Sequence, residues 1–161
     1  MDIKDYLMDL LVGKEAVRQP EDAPAGLTVQ NFSAVKKVNK PWGFELWLSD
    51  ASDTPYAFKI LYLIKGAKTS LQIHKEKSEH NCIFSGTVRV YYESAKEGSL
   101  RSMELGAGHV VKVLPNTVHR VEALTDVVLI EASSPELDDV VRLDDDYKRP
   151  DGRIASEHDA A

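Results

Sequence analysis

The sequence predicts an all-β protein, a jelly-roll barrel of about ten antiparallel strands, and three observations carry that reading. From residue 30 onward apolar residues recur with a period of two, in runs such as "YAFKILYLI", "TVRVYYE" and "DVVLIEAS", the alternation of a half-buried strand. Gly, Pro, Asn or Asp breaks these runs at intervals of about ten residues, the rhythm of a sandwich or barrel. No helical stretch comes between them, which removes a parallel βαβ sheet.

The elements follow in order. "MDIKDYLMDLLVGKEAV" sets Ile3, Leu7, Leu10 and Leu11 at helical spacing, a short amphipathic helix whose simplest role is to pack on the body. "RQPEDAPAGLT", rich in Pro, Gly and charge, reads as a linker, so residues 1–28 form an N-terminal helix and linker. Residues 29–149 form the barrel with its C-terminal arm. Its strand-like runs are "VQNFSAVKKV", "FELWLS", "YAFKILYLI", "TSLQIH", "NCIFSG", "TVRVYYE", "RSMELG", "HVVKVLP", "HRVEAL" and "DVVLIEAS". After Ser134 the acidic "PELDDVVRLDDDYKRPDGR" is expected to wrap the barrel as a short helix or irregular arm. Residues 150–161 are expected to be a flexible tail. No internal repeat is present, and 161 residues suffice for one domain with a sizeable core.

Composition narrows the partners. Hydrophobic residues make up 43% and charged residues 29%, with a formal net charge of -6. The acidic surplus argues against nucleic acid and against an anionic membrane, which want a basic face. A small neutral or anionic ligand stays open, because an acidic protein can hold a local basic pocket. The single cysteine, Cys82, makes no internal disulfide and reads as an inert core thiol. No apolar run approaches the ~20 residues of a membrane span, and "MDIKDY" lacks a secretory charge pattern. A cytoplasmic location is expected.

The chemistry concentrates in "SLQIHKEKSEH", residues 70–80. Residues two apart on a strand share a face, so Gln72 and His74 project the same way. Residues 75–78 are enough for a tight turn, after which Glu79 points back at the same spot. In "LPNTVHR" a turn at Pro115 and Asn116 precedes His119, a plausible second imidazole. An amide oxygen, two imidazole nitrogens and a carboxylate converging in a barrel make a mixed N/O site for one divalent metal ion. Zinc, manganese, iron, nickel and cobalt all suit such ligands, with positions left open for water or substrate. Lys59, on an otherwise apolar strand, stands out because a core strand rarely tolerates an unpartnered ammonium.

These residues also fit a known pattern. Residues 66–86, from "GAKTSLQIH" to "NCIFSG", resemble the first cupin motif, with Gln72 where most cupins carry histidine. Residues 108–119, "GHVVKVLPNTVH", resemble the second, with Leu114 and Asn116 in place of the usual Pro and Gly. "KPWGFELWL", "SLQIH", "SEH", "HR" and "DDVVRLDDDYKR" further resemble the isomerase domain of bifunctional type II phosphomannose isomerases, over residues 40–149. "YAFKIL" before "SLQIH" is similar to the type I phosphomannose isomerases.

The resemblance implies a cupin double-stranded β-helix, a metal held by Gln72, His74, Glu79 and His119, and Lys59 as an active-site lysine. It adds His80 as a catalytic candidate and Arg142 and Arg149 as substrate contacts. It also implies a homodimer paired through sheet edges, acting on a small-molecule sugar or sugar phosphate. Proton transfer between C1 and C2 of such a substrate runs through a cis-enediol, with the metal as Lewis acid.

The departures are Lys77 for an arginine, Asn81 for an aromatic residue, and Ala123 for an asparagine. They leave fold and metal set in place but do not carry the substrate over. The nucleotidyltransferase half of the bifunctional enzymes is not in these 161 residues, so GDP-mannose synthesis is not expected of them. Read by their own surroundings, His80 alternates away from Glu79, His109 matches no ligand slot, His158 lies in the tail, and Arg142 and Arg149 have the acidic run 144–146 beside them for ion pairs. The rival readings are a non-catalytic sugar- or effector-binding cupin, a metal-dependent oxygenase, or a sugar epimerase.

Overall fold

The computed structural model describes residues 3–11 and 21–158. The chain divides into two compact units, Met1–Lys36 and Lys37–Ala161. In the first, helix α1 (Ile3–Leu11) buries Leu7 and lies against a 3-10 turn at Phe32–Ala34. That turn corrects the strand expected to begin at residue 29. The side chain of Asn31 accepts a hydrogen bond from the Ser33 N–H at 3.1 Å, a local cap that competes with extended pairing.

The second unit is β-sheet. Its strands are β1 (Lys36–Lys40), β2 (Gly43–Asp50), β3 (Ala57–Leu63), β4 (Leu71–Ile73), β5 (Glu79–Ser85), β6 (Thr87–Glu93), β7 (Leu100–Gly106), β8 (Val110–Val113), β9 (His119–Ala123), β10 (Val127–Ser133) and β11 (Val141–Asp144). They form a six-stranded sheet, ordered β1-β2-β3-β10-β5-β8, and a five-stranded sheet, ordered β11-β4-β9-β6-β7. Every pairing with a described register is antiparallel. This is the jelly roll that the strand alternation predicts.

Alternation decides what faces inward. Leu61, Leu63, Ile83, Val127 and Leu129 of one sheet meet Val88, Val90 and Ala123 of the other, with Trp42 from the β1–β2 turn. Gly86 joins β5 to β6 at φ +90, and a Cβ there would come within 2.3 Å of the Asp126 carbonyl oxygen. Only glycine fits that close approach.

The acidic arm differs from the helix or irregular wrap expected of it. Part of it is β11, which adds to the five-stranded sheet with Arg142 in register with Gln72 and Val141 with Ile73. Beyond it the tail forms a short helix, α2 (Ala155–His158), tied to the barrel by Glu157. Among the described residues no helix is long and apolar enough to cross a membrane.

Candidate metal centre

Three strands bring four side chains to one point: Gln72 on β4 with His74 just beyond it, Glu79 at the start of β5 and His119 at the start of β9. Gln72 on β4 is paired in register with His119 on β9, and His74 follows two residues after Gln72 on the same face. The turn at residues 75–78 is built on Asp139, whose carboxylate accepts the backbone N–H groups of Lys75, Glu76 and Lys77 at 3.0, 2.7 and 2.9 Å. Burial alone would raise the Asp139 carboxyl; the three N–H donors lower it instead. The backbone oxygen of the same Asp139 accepts from His74 Nδ1. One arm residue thus sets both the turn and the first imidazole.

His119 is fixed in the same way, its Nδ1 donating to the Thr117 oxygen at 3.0 Å. The preceding turn holds Asn116 at φ 61, and its N–H donates to the His74 carbonyl at 2.6 Å. Asparagine tolerates this left-handed conformation, so the glycine of the usual motif is replaced without loss of the turn.

With both Nδ1 atoms committed to carbonyl oxygens, both Nε2 atoms point to the shared centre. There His74 Nε2 lies 3.5 Å from Glu79 Oε2 and His119 Nε2 lies 3.4 Å from Glu79 Oε1. Among the described residues, His74, Glu79 and His119 form a buried trio whose ligand atoms all lie within 4.8 Å of one another. Gln72 Nε2 is 3.4 Å from His74 Nε2 and 3.3 Å from His119 Nε2, while its Oε1 accepts from Ser70 Oγ at 2.5 Å. A half-turn of the amide exchanges these atoms, presenting oxygen to the centre and an N–H to the hydroxyl, which can equally accept. Two imidazole nitrogens, a carboxylate and an amide oxygen suit a divalent ion of the first transition row. The residues fit the group.

A ring of charge surrounds the trio, and much of it escaped sequence reading. Lys77 Nζ bonds Glu79 Oε2 at 2.7 Å and Glu131 Oε1 at 3.0 Å; all three residues are buried. Asn81 Nδ2 donates to the other Glu79 oxygen at 3.0 Å. Burial opposes the Glu79 carboxylate, but the Lys77 ammonium and the imidazoles hold it well below the usual carboxylate range. Burial likewise opposes the His119 imidazolium, yet its bond and proximity to Glu79 raise its pKa overall. Two carboxylates against one ammonium leave a surplus negative charge for a cation to neutralise.

The cavity beside the trio has a volume of about 110 Å³ and includes Lys40, Glu45, Trp47, Lys59, Arg142 and Arg149 in its lining. Lys59 is 7% exposed, 3.6 Å from Glu45 Oε2 and 4.2 Å above the Trp47 ring. Trp47 Nε1 donates to the same Glu45 oxygen at 2.6 Å. Burial alone would raise the Glu45 carboxyl; Lys59 and Lys40 turn the shift downward. So the lone lysine of the apolar strand has its partners.

Arg142 donates through Nη1 to the backbone oxygens of Pro150 and Gly152, while its buried Nε has no partner. Arg149 is bidentate to Asp145, at 3.0 and 2.8 Å. His80 is not brought to the centre. It is exposed on the outer face of β5, beside Tyr56 and Phe58, because period-two alternation turns it away from Glu79. Glu131 on "VVLIEAS" carried the same signal as Lys59, a lone charge on an apolar strand, and lies directly opposite it in the sheet.

Comparison with known proteins bears on the family and the fold. The sequence model of a family described as "Mannose-6-phosphate isomerase C-terminal" matches residues 28–145. No curated protein matches the chain. Among solved structures, the capsular polysaccharide assembling protein CapF from Staphylococcus aureus superposes with a TM-score of 0.60 at 16% identity, covering 69% of this chain and 32% of that one. A Bacillus subtilis oxalate decarboxylase, studied for its Mn(II) centres, superposes with a TM-score of 0.62 at 19% identity, covering 89% and 37%. At such identities the likeness is one of fold. The chain spans about a third of the length of these structures.

Proposed function

The chain belongs to the mannose-6-phosphate isomerase C-terminal family, and from that premise we propose that it is a metal-dependent aldose–ketose isomerase acting on a sugar phosphate. One observation carries the reading: two buried imidazoles present Nε2 to one carboxylate on the wall of a cavity that also holds Lys59. Gln72, His74, Glu79 and His119 would hold a divalent ion, which when bound would supply Lewis acidity toward a sugar carbonyl.

The chain's own residues account for the rest. Isomerisation removes a proton from one of the two carbons C1 and C2 and returns it to the other. Lys59 takes that proton as an amine, becomes an ammonium, and gives it back at the neighbouring carbon. The Glu45 carboxylate and the Trp47 face fix the position of the Lys59 nitrogen in the cavity wall. Arg149 serves the anionic end of the substrate, and Arg142, anchored on residues 150 and 152, holds the arm in place and offers its free Nε. His80, on the far face, has no part in these steps.

A second reading, a binding module without turnover, is favoured by the Lys77–Glu79 bond, which already gives the carboxylate a cation. One screen separates the two. Metal-loaded protein is incubated with hexose phosphates and free hexoses, and products are read by NMR while oxygen uptake is followed. Interconversion of mannose 6-phosphate and fructose 6-phosphate is expected, with no oxygen consumed. Saturable binding with no product would establish the module, and oxygen uptake would establish an oxygenase.

A further inference from the structure

One side chain of α2, His158, lines the cavity, and Glu157 beside it pairs with two cations of the lining, Lys40 and Arg149. Glu157 Oε2 lies 2.9 Å from Lys40 Nζ, and Glu157 Oε1 lies 3.5 Å from Arg149 Nη1. His158 Nε2 is 3.0 Å from the same Lys40 ammonium, with its ring 5.2 Å from that of Trp47 in an edge-on contact. The side chains of Lys40, Arg149 and Glu157 are only 7, 9 and 11% exposed. A carboxylate held between a buried lysine and a buried arginine is the arrangement by which proteins hold anions in general.

We propose that Lys40 and Arg149 form a subsite for a phosphate monoester, and that Glu157 occupies it as an internal competitor until such a ligand displaces α2. The choice of a sugar phosphate rests on the isomerase reading; the anion subsite does not.

Three further observations support displacement. First, the cavity of about 110 Å³ falls well below the ~300 Å³ at which sites for drug-sized ligands begin, so a hexose phosphate needs the space α2 fills. Second, α2 is four residues long and buries none of them fully. A helix that short has no stability of its own and depends on contacts such as the Glu157 ion pairs and the His158–Trp47 ring contact. Third, the buried Arg142 Nε in the lining lacks a partner, an arrangement that costs stability and that a ligand's oxygen would relieve; His158 Nδ1 of α2 is likewise unpartnered and gains water when α2 leaves. A phosphate monoester carries more charge than the Glu157 carboxylate, and so competes for the same two cations.

The test uses inorganic phosphate and the full chain, titrated by calorimetry at pH 7.5. If Glu157 fills the subsite nine times in ten, Glu157→Gln binds phosphate about tenfold more tightly than wild type, because the fraction of competent protein sets the apparent affinity. A chain lacking residues 155–161 should match that gain, which guards against a local fault in the glutamine variant. Adding Lys40→Met to Glu157→Gln should abolish the gain. Equal phosphate affinity in wild type, Glu157→Gln and the shortened chain overturns the proposal. So does a gain that survives Lys40→Met, since the anion would then sit on the metal centre or elsewhere. Because turnover is not measured, absence of isomerase activity leaves this result unchanged.

Discussion

Replacing Lys77 by Met should destabilise the protein far more than the loss of a surface charge. Its ammonium is 2.7 Å from Glu79 and 3.0 Å from Glu131, and the three side chains are 7, 6 and 8% exposed. Removing it leaves two carboxylates buried with their cation gone. Breaking a buried pair from one side costs about 3–5 kcal/mol. For a domain of this size each kcal/mol moves Tm by about 2–4 °C, so the drop should be about 6–20 °C. The exposed pair Arg101–Glu97, at 54 and 55% exposure, provides the control, because such pairs contribute at most about 1 kcal/mol. Arg101→Gln should therefore shift Tm by no more than a few degrees.

The assay is calorimetric melting in chelator, repeated with a divalent ion added. Lys77→Met should recover more of its Tm on metal addition than wild type does, since the ion replaces the missing cation. A Lys77→Met shift no larger than that of Arg101→Gln would refute the claim that this ammonium neutralises the centre.

Three further outcomes are expected. His74→Ala and His119→Ala should each abolish the binding of one divalent ion per chain, measured by mass spectrometry of metal content after dialysis; full occupancy in both would sink the ligand assignment. Lys59→Met, nearly isosteric with the lysine stem, should keep metal content and lose kcat if Lys59 moves the proton, whereas Arg149→Gln should raise KM for phosphorylated sugars and spare free ones. Should both variants turn over like wild type, neither role survives.

The third outcome concerns pH. Burial, with Lys40 next to it, lowers His158 from 6.5 to about 4. The folded pKa lies below the unfolded one, so the contribution to stability is complete above about 6.5 and drains away as pH falls toward about 4. Wild type should lose Tm relative to His158→Gln across that window, and parallel curves would contradict the placement of His158 against Lys40.

How much of this was legible in the sequence depends on the range of the cause. Strand alternation is local, so β3 and β5 could be read directly, and the same rule placed His80 opposite Glu79. The convergence of Gln72, His74 and Glu79 was legible because they sit at short spacings around one turn, and His119 because a second turn precedes it. Lys77 was marked only as a cation standing where the resembling family has arginine; its role was not legible, because only the fold brings Glu131 to it from a strand 54 residues away. Glu131 and Glu45 each stand on apolar strands, the signal that singled out Lys59, but the pairing among them depends on sheet order. The arm was misjudged for a similar reason. Its acidic composition hides Val141 and Arg142, which form β11 because the edge of β4 is open to them. Asp139, which fixes a turn 62 residues earlier in the chain, is marked in the sequence only as part of the "DDVVR" run of the resembling pattern, with nothing to tie it to that turn.

The central claim is a proton moved between C1 and C2 at a metal centre. The most direct measurement is proton NMR of fructose 6-phosphate incubated with metal-loaded protein in deuterium oxide. The account predicts mannose 6-phosphate as product, with solvent deuterium entering at C1 or C2 in at least a fraction of turnovers, and neither change with His119→Ala. Unaltered fructose 6-phosphate and mannose 6-phosphate after incubation with fully metal-loaded wild-type protein would contradict it.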